Sequence, residues 1–142
     1  MSIYAKNYAR LLKIVPGLLE MRPGESSVTL KAPGFMDLTV EVLRREETGH
    51  IIVSLAHYGV QNGDLMSDPE MELSISPTLK TVEALTFTNH YVGRYQRVYP
   101  EPGLVIPRLK AELNEFLGLW LNNIVQQGHK AEASNLFSSL EA

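Results

Sequence analysis

The chain has no cysteine. Disulfides, thiolate metal sites and cysteine nucleophiles are therefore excluded together. No apolar run approaches the roughly 20 residues that a membrane-spanning helix requires, so no membrane association is expected. The first residues, MSIYAKNYARLLKIVPG, place charges ahead of any long apolar core, and a signal peptide is not expected. Strong net charge is missing as well. Thirteen basic side chains against 16 acidic ones leave −3, which argues against general affinity for nucleic acid or lipid through bulk charge. The familiar catalytic fingerprints are absent. No serine lies in a G-x-S-x-G elbow, and no HExxH or EF-hand spacing occurs. The run Gly59-Val60-Gln61-Asn62-Gly63-Asp64 is not followed by the helical pattern that a phosphate loop needs. No motif asks for a cofactor, and none is expected. A cytoplasmic location fits these absences.

With 44% apolar and 20% charged residues the composition is that of a globular protein. A length of 142 residues is enough to bury roughly two thirds of the unfolded surface in one core. No repeat or linker divides the chain, so a single domain over 1–142 is expected.

Hydrophobic spacing gives the elements. Ser2 is positioned as an N-cap, and Tyr4, Tyr8, Leu11, Leu12 and Val15 fall at helical spacing, with Lys6, Arg10 and Lys13 on another face. Pro16-Gly17 stops this helix. Strands follow. Val28, Leu30 and Ala32 point one way, and Met36, Leu38, Val40 and Val42 alternate with polar neighbours. Ile51, Val53, Leu55 and His57 form the inner row of a third strand; Met71, Leu73 and Ile75 form that of a fourth. Leu85 and Phe87 mark a fifth, and Arg94 to Tyr99 a sixth, closed by Pro100. Last comes the strongest helical pattern, with Leu109, Leu113, Phe116, Leu117, Trp120, Leu121 and Ile124 on one stripe, Pro107 at its start and Gly128 as its stop. Asn114, Asn122, Asn123, Gln126 and Gln127 are assigned to its outer face. A short amphipathic tail with Leu136, Phe137 and Leu140 would fold only by docking. The order predicts an α+β fold: an antiparallel meander of five to six strands flanked by an N-terminal helix and a long C-terminal helix.

Asn62-Gly63 is the preferred signal for a two-residue hairpin turn. Such a turn pairs positions whose numbers sum to 125, yet the inner rows on both sides are odd-numbered and must pair to an even sum. A bulge near Asp68-Pro69 resolves the conflict and sets Leu55 opposite Met71 and Val53 opposite Leu73.

With this layout the chain resembles the YqiB-like family of uncharacterised bacterial proteins, through NYARLLKIVP (Asn7 to Pro16), VEAL (Val82 to Leu85), RYQRVYPEP (Arg94 to Pro102) and LNEFLGLWLNNIVQQGH (Leu113 to His129). Where that family commonly carries Tyr-His-Asp, this chain has Ser76, Pro77 and Thr78. The segment HYGVQNGDLMSDPEME (His57 to Glu72) resembles uncharacterised proteins carried by plasmids and phages. The resemblance implies the fold and no reaction.

That same segment is the densest in functional groups. Asp64, Asp68, Glu70 and Glu72 with His57 offer hard oxygen ligands and one imidazole, a set suited to Mg²⁺ or Mn²⁺ and to metal-assisted hydrolysis. Pairing Leu73 with Leu85 would bring Asn89 and His90 to the same sheet end. The candidate functional cluster is therefore His57, Asp64, Asp68, Glu70, Asn89 and His90, with metal binding left open. Tyr91, Tyr95, Arg97 and Tyr99 share strand parity; Tyr91, Tyr95 and Arg97 are the candidate single-strand nucleic-acid face. The leading expectation is a non-enzymatic module that binds a protein partner through the acidic hairpin 61–72 and the polar face of helix 108–127, as an accessory protein of a mobile element. A metal-dependent hydrolase using His57, Asp64, Asp68, Glu70 and His90 is the first alternative, and a single-stranded nucleic-acid module the second.

Overall fold

The computed structural model describes residues 1–24, 27–61 and 64–131. Among them are two α-helices, α1 (Ile3–Ile14) and α2 (Pro107–Gln127), and eight strands: β1 (Ser27–Lys31), β2 (Leu38–Arg45), β3 (Ile51–Gln61), β4 (Asp64–Ser76), β5 (Thr81–Ala84), β6 (Thr86–Asn89), β7 (Arg94–Arg97) and β8 (Lys130–Ala131). The strands form an open antiparallel sheet in the order β7-β6-β4-β3-β2-β1-β8, with β5 beside β6 along the same edge of β4. The architecture is α+β, as the element order predicts. The strand count exceeds the expected five to six. The fifth strand is split in two, and β8 forms a short addition to the β1 edge.

The helix ends follow their capping chemistry. The Ser2 hydroxyl accepts the Ala5 N–H, and α1 stops ahead of Pro16. Helix α2 begins with Pro107 and ends at Gly128, whose φ of 85° is the left-handed conformation that glycine adopts without a Cβ clash. Both helices cover the sheet face carrying the odd-numbered rows of β3 and β4. Val53, Leu55, Met71 and Leu73 pack there with Leu11, Leu117, Leu121 and Ile124, all fully buried. Strand β2 starts at Leu38, one alternation later than its apolar pattern suggests, and Met36 is left exposed in the preceding loop.

The register of β3 on β4 has the predicted form. Leu55 pairs with Met71 and Val53 with Leu73, while nearer the turn Tyr58 pairs with Ser67 and Gln61 with Asp64. The shift falls between Ala56 and Tyr58, so Asp68 and Pro69 together oppose His57. The Asn62-Gly63 turn itself lies outside the described residues.

A second irregularity corrects an expectation. Leu73 pairs with Ala84, not with Leu85, whereas Glu70 pairs with Thr88. One extra residue sits between β5 and β6. There the Leu85 N–H donates to the Glu72 carbonyl, and the Glu72 N–H donates to the Thr86 hydroxyl, so the break leaves the Glu72 backbone satisfied.

Asn114 is also not where its polarity suggested. It is buried, and its side chain accepts the Ala84 N–H at 2.9 Å and donates to the Lys110 carbonyl at 2.7 Å. Its own carbonyl accepts the buried amide of Asn7 at 3.1 Å, which in turn accepts from Arg10. Gly118 completes this contact. A Cβ there would come within 3.0 Å of Arg10 and 3.2 Å of Asn7, so glycine lets α1 and α2 approach closely. Asn114→Leu removes both side-chain bonds and leaves the Ala84 N–H buried without an acceptor. A loss of about 2–3 kcal/mol is expected in urea unfolding; a change within about 0.5 kcal/mol would show that the asparagine anchors nothing.

Candidate functional site

The acidic hairpin runs past the edge of the sheet. The last β2–β3 pair is Leu38 with His57, and the last β4–β6 pair is Glu70 with Thr88. Beyond them β3 and β4 pair only with each other as far as Gln61 and Asp64, which makes a two-stranded arm. His57, Asp68 and Asn89 sit at its base. The bulge frees Asp68 from the regular alternation, and its carboxylate accepts the Asn89 side-chain amide at 2.7 Å. The Asn89 side-chain oxygen accepts the Tyr91 N–H at 3.0 Å and caps the 3-10 turn His90–Val92. Asn89 thus joins the bulge to the turn.

His57 is engaged on both ring nitrogens. The Trp120 indole N–H donates to its Nε2 at 3.0 Å. Because indole can only donate, Nε2 must hold a lone pair, so the proton of the neutral ring is on Nδ1. Nδ1 is 3.0 Å from the Asp37 carbonyl and donates to it. The ring therefore fastens α2 to the loop before β2. Burial pushes the His57 pKa below its ordinary 6.5, and nearby His129 adds to this, against the opposing pull of the Asp37 carbonyl and the Asp68 and Asp37 charges. His129 anchors the same loop by a 2.8 Å bond from its Nε2 to the Met36 carbonyl. A run of rings links these groups: Phe87 to Phe116 at 5.4 Å, Phe116 to Trp120 at 6.0 Å, Trp120 to His57 at 5.4 Å, His57 to His129 at 5.9 Å and His129 to Phe35 at 6.4 Å.

The six residues of the predicted cluster are not one site. His57, Asp68 and Asn89 meet at the base of the arm. Glu70 lies on the opposite face of β4 from Met71 and accepts the Ser54 hydroxyl at 3.3 Å. His90 is exposed at the start of the 3-10 turn, and both His57 nitrogens are committed elsewhere, so the two histidines do not form an acid–base pair. Asp64 is in β4, and its side chain lies outside the described residues. Among the described residues no three histidine, aspartate or glutamate side chains gather to hold a metal ion. The tyrosine–arginine face is divided as well. Tyr95 and Arg97 are exposed on β7, whereas the Tyr91 hydroxyl reaches β3, two strands away, and occupies the space that a Cβ on Gly59 would fill.

Two groupings escaped the sequence reading. One is apolar and lies at the base of the arm. Met36 and the Tyr91 hydroxyl both approach Gly59, Phe35 and Val92 adjoin them in sequence, and the four side chains are 43%, 42%, 51% and 70% exposed for Met36, Tyr91, Phe35 and Val92. The other is polar. The Tyr99 hydroxyl donates to Glu83, which also faces Lys110 at 3.8 Å, and Lys110 lies 5.7 Å above the Tyr4 ring. Burial and Glu83 raise the Tyr99 pKa; for Lys110, partial burial works against the charge but Glu83 and Tyr99 outweigh it, so its pKa rises too. These contacts join residues distant in sequence, and no local pattern announces them.

The chain belongs to the family described as a domain of unknown function, DUF6908, which it matches over residues 6–130. The match covers α1 from Lys6 onward, the strands from β1 to β7 and all of α2. No curated protein and no solved structure matches it. Among the described residues no helix is long and apolar enough to cross a membrane.

The His57 geometry fixes the sign of a pH effect. The folded state favours the neutral ring, so its contribution to stability is complete above the unfolded value of 6.5 and is lost as pH falls below 6.5 through the lowered folded value. Urea unfolding at about pH 8 and about pH 5 should show this loss, and His57→Gln should remove part of it. Trp120→Phe keeps the ring but deletes the donor that favours neutral Nε2, so the His57 pKa followed by NMR should move upward. An unchanged titration would mean that the indole bond does not hold the tautomer.

Proposed function

We propose that the chain is a protein-binding module without a reaction of its own, and that it meets its partner with the end of the sheet from which the β3–β4 arm extends. One observation carries this reading: Met36 and Tyr91 meet at Gly59 at the base of the arm, and both they and their chain neighbours Phe35 and Val92 are exposed. Aromatic residues and methionine are enriched in interface cores, and contiguous exposed apolar side chains are uncommon on surfaces that meet only water. The histidine pair behind the patch supports it as a preformed surface, because His57 and His129 hold the Asp37 and Met36 carbonyls of the loop that presents Phe35. Asp37 is exposed beside the patch and Asp68 stands at the foot of the arm, so a partner with an apolar centre and basic groups at its rim fits. A role as accessory to a mobile element rests on the hairpin resemblance alone, and the identity of the partner would decide it.

Val92→Asp and Phe35→Asp alter exposed side chains and should leave the unfolding temperature nearly unchanged. Each should weaken a partner captured by the native chain by about 30-fold or more, the scale of an interface hot spot. Equal retention of that partner by both variants, or failure of the native chain to capture any partner at low and moderate salt, would overturn the reading.

A second reading has its own observation. Tyr95 and Arg97 line an open groove with Ile106, Arg108 and Leu109 of the α2 approach. An exposed aromatic ring in a groove with Arg97 and Arg108 suits a single strand of nucleic acid, although Arg108 is paired with Glu112 at 3.1 Å. A labelled single-stranded oligonucleotide should then bind at low salt, and Arg97→Ala should reduce the salt slope by about one. Absence of binding at low salt would remove this reading.

A further inference from the structure

The groove at the open side of β8 is apolar and has a rim of one charge. Ile14, Val15 and Pro16 at the end of α1, Val28 and Leu30 of β1, and Val125 of α2 supply its walls, and its charged residues are Lys13 and Lys130. Val125 is 38% exposed there, on the last turn of a helix whose neighbouring Leu121 and Ile124 are fully buried. His129 also lines the groove. Its Nε2 donates to the Met36 carbonyl, which leaves Nδ1 as a lone-pair acceptor, and that atom is buried without a hydrogen-bond partner among the described residues.

The chain leaves β8 at this groove. Leu30 pairs with Ala131 and Lys31 with Lys130, so β8 runs antiparallel to β1 and Ala131 is the last described residue. Residues 132–142 follow, outside the described residues and beyond the family match. Their sequence complements the groove feature by feature. Leu136, Phe137 and Leu140 fall on one side of a helical turn. The segment's charges are Glu132 and Glu141, opposite in sign to Lys13 and Lys130. Phe137 is six residues past Ala131, a reach of up to about 20 Å in extended chain, while Ala131 itself lines the groove.

We infer that residues 132–142 dock back into this groove in cis, with Leu136 and Phe137 against Ile14, Pro16 and Val125. The inference is independent of the proposed partner, because no residue of the tail belongs to the patch around Gly59.

A double-mutant cycle in the full chain tests it. Phe137→Ser and Val125→Ser should each lower the unfolding temperature, by on the order of 5 °C, and the double variant should fall little further than the worse single one, since both remove the same contact. Hydrogen exchange supplies a readout that does not depend on the size of that shift: amides of 134–140 should be protected in the native chain and lose protection in Val125→Ser. A silent Phe137→Ser, strictly additive effects, or an unprotected tail would overturn the inference. An unfolding temperature that rises with protein concentration, with a dimer in sedimentation, would place the tail of a second copy in the groove and overturn docking in cis.

Discussion

Side-chain alternation along paired strands permits no half measures. The residues that β3 and β4 give to the core under the helices are odd-numbered on both strands, so they share a face only if the register sums to an even number. The pairs nearest the tip, from Tyr58 with Ser67 to Gln61 with Asp64, have an odd sum. One additional residue reconciles the two, and the chain places it at Asp68-Pro69, where proline could not have completed the ladder. Much of the arm end depends on that extra residue. It frees Asp68 to bind Asn89, which caps the turn that carries Tyr91 over Gly59. It also sets His57 at the last regular position of β3, where the ring faces Trp120 and not the hairpin carboxylates.

Polar groups fix how the helices sit on the sheet. The hydrophobic faces of α1, α2 and the odd rows would accept several small displacements at similar cost, because apolar contact is non-directional. Asn114 removes that freedom at one end by matching the orphan N–H of Ala84 where β5 stops and β6 has not begun. The Trp120–His57 bond removes it at the other. Both are single donors meeting single acceptors, the first buried and the second part-buried, where a mismatch costs more than the bond itself contributes.

How much of this could be read from the sequence depends on the range of the interaction. The capping serine, the proline start and glycine stop of α2, and the bulge follow from rules acting over a few residues, and they appear where those rules put them. The split between β5 and β6 has no such local mark, so Leu85 was paired one position out of place. Polarity alone assigns Asn114 to solvent, although it lies three residues before Leu117 and seven before Leu121, on the buried stripe. Periodicity was the better guide there, since a buried amide needs only partners, and its partner is 30 residues away in β5. The candidate cluster failed as a unit for a related reason. Regular alternation would set Asp68 and Glu70 on one face, but the bulge takes Asp68 out of that alternation to Asn89 while Glu70 stays on the face of Ser54.

The chain contains one tryptophan, and its indole nitrogen is bonded to a ring that can gain a proton. Imidazolium quenches indole emission where neutral imidazole does so far less. The intrinsic fluorescence of the unlabelled protein is therefore an optical record of the contact that joins α2 to the root of the arm, readable through any event that strains that joint.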